Sequence, residues 1–114
     1  MRRFRLFALL ALVLMPAIGD AVAVHSFQVT IGAGTTQVWG TQLLARQIFF
    51  QNNAAHTMRI GDVTVSSSKG VLLAVGPPGG SLTVGVNVGG GDIDLSTFWV
   101  NGTNGDVLDV SYVQ

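Results

Sequence analysis

The chain has 114 residues with six basic and six acidic side chains, so its formal net charge is zero, and it contains no cysteine. This length is enough for one domain but not for two. The missing cysteine excludes a disulfide framework, a thiolate metal site and a cysteine nucleophile.

The start of the chain has the order of a secretory signal peptide. Arg2, Arg3 and Arg5 form a basic start, and residues 6–18 are almost entirely apolar. Ala21-Val22-Ala23 then has the small-x-small pattern of a cleavage site. The apolar run is shorter than the roughly 20 residues of a membrane-spanning helix. We therefore predict an apolar helical or signal segment that is cleaved after Ala23. The alternative is a retained tail that anchors the protein in an assembly or a membrane.

Residues 24–114 are predicted to form a single domain with few charges. They carry three basic and five acidic side chains, a balance of −2. About a quarter of the residues of a globular domain are usually charged. The small number of charged residues here therefore indicates that other subunits cover part of the domain. A domain of this size is also only marginally stable alone, and we expect a homo-oligomer. Without a cluster of basic side chains, nucleic acid is not an expected partner.

Apolar and polar residues alternate along most of this domain. In the first segment Phe27, Val29 and Ile31 share one face, which is the pattern of a half-buried β-strand. A helical period is absent, and only residues 41–47 could form one helical turn. The predicted strands, in chain order, are His25–Ile31, Thr36–Trp39, Arg46–Asn52, Thr57–Ile60, Val63–Val65, Val71–Val75, Ser81–Val88, Ile93–Val100 and Asp106–Val113.

The side-chain alternation and the turn residues together predict the fold class. Within the third strand Ile48 and Phe50 are predicted to face the core and Phe49 the opposite side. Residues 76–80 (Gly-Pro-Pro-Gly-Gly) end a strand, because proline cannot donate to a ladder. Two Asn-Gly pairs at 101–105 suit a tight hairpin turn. About eight short strands of this kind predict an all-β antiparallel β-sandwich or a jelly-roll-like barrel.

The sequence shows no convergence of catalytic residues. His25 and His56 lack the spacing of zinc ligands, and the serines at 66–68 are not part of a nucleophile elbow. We therefore predict no enzymatic activity and no cofactor. Asp92 and Asp94 follow three glycines and are calcium candidates, although glycine-aspartate calcium repeats act as stacked copies and this chain has one. The alternative is a loop whose charges keep a sheet edge soluble.

Three aromatic side chains are candidates for binding a partner. Trp39, Phe49 and Trp99 lie in or beside predicted strands, where an exposed ring could stack on a sugar or fill a pocket of another protein. The alternative is that each ring belongs to the hydrophobic core.

The order of several segments resembles that of small phage virion proteins of the head-fibre and capsid-decoration type. An Arg-led apolar strand ends in Asn at 46–53, and a short strand ends in Ile-Gly at 58–61. A Val-Thr segment with a following Gly and apolar residues occupies 63–73, and closing strands occupy 98–102 and 107–112. The resemblance implies a β-sandwich that attaches to a capsid or tail surface, commonly as a trimer, and it brings no catalytic residues.

Two functions are therefore expected from the sequence. The first is a non-enzymatic virion structural protein on the particle surface, with itself and with capsid or tail proteins as partners. The second is an exported carbohydrate- or surface-binding module, located in the periplasm or outside the cell after signal cleavage, with surface glycans as partners. A membrane is expected as a partner only through an uncleaved N-terminal segment.

Overall fold

The computed structural model describes residues 23–76, 78–85 and 91–114. These residues form ten β-strands and one short 3-10 turn, which confirms the all-β prediction. The predicted N-terminal apolar segment and the last three residues (86–88) of the strand predicted at 81–88 lie outside the described residues. The strands are β1 (Val24–Thr30), β2 (Thr35–Gln37), β3 (Leu44–Ala45), β4 (Gln47–Asn52), β5 (Met58–Gly61), β6 (Val71–Leu73), β7 (Ser81–Gly85), β8 (Ile93–Asp94), β9 (Trp99–Asn101) and β10 (Val107–Val113).

The strands are arranged in two four-stranded sheets and one small pair. Sheet A has the order β1-β10-β4-β7, and sheet B has the order β2-β9-β5-β6. The third pair joins β3 to β8, and every pairing is antiparallel. Among the ten described strands, only β5 and β6 are neighbours both in the chain and in a sheet, so most connections cross between sheets. The result is a β-sandwich-like fold.

One hydrophobic core lies between the inner faces of the two sheets. Alternate residues of each strand point inward because side chains on a strand alternate between its two faces. Ile48 and Phe50 from sheet A and Ile60 and Val100 from sheet B are buried in this core. Burial of each such side chain contributes about 1.5–3 kcal/mol. The predicted inward direction of Ile48 and Phe50, and the opposite direction of Phe49, are confirmed.

Four details of the sequence interpretation differ from the structure. Val63–Val65 is not a strand but part of a loop at 62–70, because Asp62 accepts hydrogen bonds from Thr64 and folds the chain locally. Leu95–Thr97 is a 3-10 turn rather than the middle of a strand. Residues 41–47 contain the short strand β3 and no helical turn. The strand number is ten instead of about eight, since two-residue strands such as β3 and β8 are too short to show alternation.

The Asn-Gly segment after β9 is a turn, but it does not close a hairpin. Gly105 has a φ of +93°, which glycine adopts without strain, and the N–H of Asp106 donates to the carbonyl of Thr103. The strands on either side belong to different sheets, since β9 lies in sheet B and β10 in sheet A. This segment therefore carries the chain across the sandwich.

A buried asparagine ties three segments of the chain together. The two N–H groups of the Asn52 Nδ2 are shared among the carbonyls of His56, Leu73 and Ala74, with N···O distances of 2.8, 3.2 and 3.0 Å. Its Oδ1 accepts from the N–H of Ala54 at 2.9 Å. A buried polar side chain is stable only when it is hydrogen-bonded in this way. Asn52 therefore fixes the end of β4 against the chain that leaves β6.

Candidate partner-binding surfaces

The described residues contain one contact between a histidine and a carboxylate. Nδ1 of His56 lies 2.9 Å from Oδ2 of Asp106, and the imidazole is largely exposed. Within the described part of the chain no serine hydroxyl is hydrogen-bonded to the imidazole, so the pair does not extend to a nucleophile. The pair joins the turn after β4 to the start of β10, and this structural role accounts for its position.

The two calcium candidates have different surroundings. The Oδ1 of Asp94 accepts hydrogen bonds from the N–H groups of Ser96 and Leu43 and from the Ser96 hydroxyl. Hydrogen bonds from the Ser96 N–H, the Leu43 N–H and the Ser96 hydroxyl lower the pKa of this carboxyl group. Asp94 thus caps the 3-10 turn, while Asp92 is exposed. In residues 23–76, 78–85 and 91–114 there is no group of three or more potential metal ligands.

Trp39 belongs to an aromatic cluster at one end of sheet A. Its ring packs on Phe27 with a centroid distance of 4.9 Å, and Phe27 meets Tyr112 at 6.0 Å. Tyr112 stacks on His25 at 5.0 Å, as expected for residues paired across β1 and β10. Trp39 is still 38% exposed. The ring therefore both covers the inner face of β1 and leaves one side free for a partner.

Phe49 lies on the outer face of sheet A, among polar side chains. It is 38% exposed and is paired with Ser111 on one side and Thr83 on the other. The outward strand residues of this sheet include no basic side chain. Next to this position Asp109 accepts from the amides of Gln28 and Asn53 at 2.9 and 2.8 Å. The surface is neutral to slightly acidic, with one aromatic ring surrounded by hydroxyl and amide groups.

Trp99 lies on the outer face of sheet B. The adjacent Val100 takes the inward position in β9, so the Trp99 side chain faces outward. Its neighbours across the sheet are Gly61 and Gln37. Gly61 has no side chain to cover the indole, and Trp99 is half-buried. The three aromatic candidates therefore lie on three separate surfaces. No single small ligand could contact all of them.

Exposed apolar side chains occur on β6, an edge strand of sheet B, and in the loops before and after it. Val71 and Leu72 are 48% and 54% exposed, and Val63 and Val75 in the flanking loops are 61% and 49% exposed. Leu72 is paired with Arg59, whose guanidinium donates to the carbonyls of Ser67 and Gly70 and fixes the loop beside the strand. We call Val63, Val71, Leu72 and Val75 the β6 apolar edge. The sequence predicted strands here but gave no indication that the apolar residues remain exposed.

Comparison with known proteins gives no assignment. No protein-family model matches the chain, and no curated protein is significantly similar to it. Within the described residues, no helical segment has the length and apolarity that a membrane span requires.

Proposed function

We propose that this protein is a non-enzymatic structural component of a phage-like virion surface, of the capsid-decoration, head-fibre or tail-surface type. The observation that carries the proposal is the β6 apolar edge, because exposed apolar groups on a small domain with few charges favour contact with other subunits. The order of strand motifs that resembles small virion proteins supports the same function. The partners are other copies of the chain and capsid or tail proteins.

Particle binding by a charged variant tests this proposal. Leu72→Asp places a charge in the β6 apolar edge, and Thr83→Asp places the same charge on an exposed strand position of sheet A. Wild type and Thr83→Asp should sediment with purified phage-like particles from the source of the gene, and Leu72→Asp should bind at least tenfold less. Absence of wild-type binding, or equal binding of both variants, would contradict the proposal. Capsid, portal or tail genes beside this gene would support it further.

A second candidate function is an exported carbohydrate-binding module, and the outer face of sheet A favours it. Sugars are bound by aromatic rings together with hydroxyl, amide and carboxylate groups, and Phe49 lies among such groups. A glycan array with the wild-type chain should then show selective binding that Phe49→Ala abolishes. Trp99→Ala, on the opposite outer face, is the matched control, and Trp39→Ala tests the third candidate. No glycan bound by the wild type, or binding unchanged in all three variants, would exclude this function.

A further inference from the structure

Within the described residues 23–76, 78–85 and 91–114, the edge strand β1 has no proline, no bulge and no acidic or basic strand residue that would prevent pairing with another chain. It has seven residues, whereas the sheet B edges β2 and β6 have three each. Its sequence Val-His-Ser-Phe-Gln-Val-Thr contains no proline and no Lys, Arg, Asp or Glu. Natural edge strands are normally protected by such residues, by shortness or by a bulge. The register of β1 with β10 is continuous over all seven residues, so it has no bulge.

The direction of the β1 backbone groups follows from two hydrogen bonds near the strands. The N–H of Ile31 donates to the carbonyl of Asp106, which continues the β1–β10 register, and the N–H of Asn52 donates to Gly80 in register with β7. Antiparallel pairs alternate between bonded and non-bonded positions. Both bonds give the same result: the odd-numbered residues of β1 bond to β10. The N–H and carbonyl groups of the even-numbered residues face away from the sheet.

These outward residues are symmetric about Phe27. They are Val24, Ser26, Gln28 and Thr30. A second copy of β1, turned about a two-fold axis through Phe27, would set Ser26 opposite Gln28 and Val24 opposite Thr30. All four outward residues of both strands would then be paired, with about eight backbone hydrogen bonds in total. A shift by two residues in either direction would leave outward groups of the strand ends unpaired.

The side chains fit the same arrangement. Phe27 would face its own copy at a non-bonded position, where side chains of opposite strands approach most closely. Each Phe27 already carries Trp39 at 4.9 Å, so the contact would extend the aromatic cluster across the two-fold axis. Val24 is 69% exposed and would become covered at the ends. The strand has no Lys, Arg, Asp or Glu, so a second copy meets no repulsion between such side chains.

We propose that two copies of this chain pair through β1, antiparallel and centred on Phe27, to form a continuous eight-stranded sheet from two copies of sheet A. The inference rests on the self-association part of the proposed function and gives it a specific contact. A two-fold contact of this kind predicts a dimer and not the trimer that the resemblance implies. The contact should bury less than the roughly 1,200 Å² of a typical stable interface, so the dimer should be reversible.

A proline at position 28 tests the pairing directly. The N–H of Gln28 faces outward, so Gln28→Pro should remove hydrogen bonds of the dimer without removing one to β10. Gln28→Ala is the matched control, because both variants lose the side-chain bond to Asp109 and only one loses the N–H. In light scattering on the full-length chain over a concentration series, wild type and Gln28→Ala should dimerise. Gln28→Pro should need an at least tenfold higher protein concentration to reach the same fraction of dimer. The comparison also controls for any association through the N-terminal segment, which all three proteins share.

A cysteine at the two-fold axis gives a second, independent measurement. The chain has no cysteine, so Phe27→Cys under mild oxidation should form a disulfide-linked dimer, while Thr83→Cys on β7 should not. A wild-type monomer at about 1 mM, where a Kd of that size would half-populate the dimer, would overturn the inference. A trimer, equal dimerisation of the proline and alanine variants, or equal cross-linking of the two cysteine variants would also overturn it. Particle binding by Gln28→Pro would support the virion proposal independently of β1 pairing, which is tested by the light-scattering and cross-linking results.

Discussion

Replacement of Asn52 by alanine should be among the most destabilising changes in this domain. The side chain is fully buried and makes hydrogen bonds to four backbone groups. A typical hydrogen bond contributes about 0.5–1.5 kcal/mol net, and a buried group left without a partner costs about 1–3 kcal/mol. Because water can reach some of these groups after truncation, we expect a loss of about 3 kcal/mol in the free energy of unfolding. That is a large part of the roughly 5–15 kcal/mol of a small domain.

Urea unfolding at a fixed protein concentration measures this loss. With an m-value of about 1–3 kcal/mol/M, the midpoint should fall by at least about 1 M. Asn53→Ala is the matched control, because the neighbouring Asn53 is exposed and makes a single bond to Asp109, and it should lose less than about 1 kcal/mol. Asn52→Asp keeps the volume and removes both N–H donors, so at neutral pH it should lose at least as much as Asn52→Ala. Equal, small losses for Asn52→Ala and Asn53→Ala would refute the proposed role of the buried hydrogen bonds.

Two further predictions concern the turn after β6 and the response to acid. A Cβ on Gly79 would lie 1.4 Å from the carbonyl oxygen of Asn52, so Gly79→Ala should lower the free energy of unfolding by about 1–3 kcal/mol. Gly85→Ala, with open space around its Cβ position, should have little effect in the same urea assay, and similar losses would refute the steric argument. The folded-state pKa of Asp94 lies below its ordinary value of 3.8. The ionised carboxylate therefore stabilises the folded state above about pH 3.8, and this stabilisation is lost as the pH falls through the folded-state pKa. Asp94→Asn should therefore weaken the acid destabilisation measured below about pH 4. Identical stability–pH profiles for Asp94→Asn and the wild type would argue against this role.

The sequence was a good guide to the strands whose alternation extends over several residues. In β4 the pattern predicted the inward positions of Ile48 and Phe50 and the outward position of Phe49, because one buried face imposes a period of two on the side chains. It was a poor guide where a side chain competes with the backbone. Asp62 accepts from Thr64 and turns the apolar segment at 63–65 into a loop, although this segment alternates like its neighbours.

The candidate surfaces depended more strongly on the tertiary structure. The sequence identified Trp39, Phe49 and Trp99, but it did not show that they lie on three different surfaces. That separation arises because most connections cross between sheets, so neighbours in the chain do not share a face. The β6 apolar edge and the hydrogen bonds of Asn52 were also missed, because both depend on which segments are adjacent in space.

The sequence by itself determined that this is an all-β domain with alternating strands and few charges. Those properties are local or compositional, and they follow from the period of the side chains and the count of charged residues. Only the tertiary structure decided which strands are edges and which backbone groups of β1 face outward, because strand order is set by contacts between residues far apart in the chain. The unprotected edge at Val24–Thr30, from which the self-pairing proposal follows, is therefore a property of the fold.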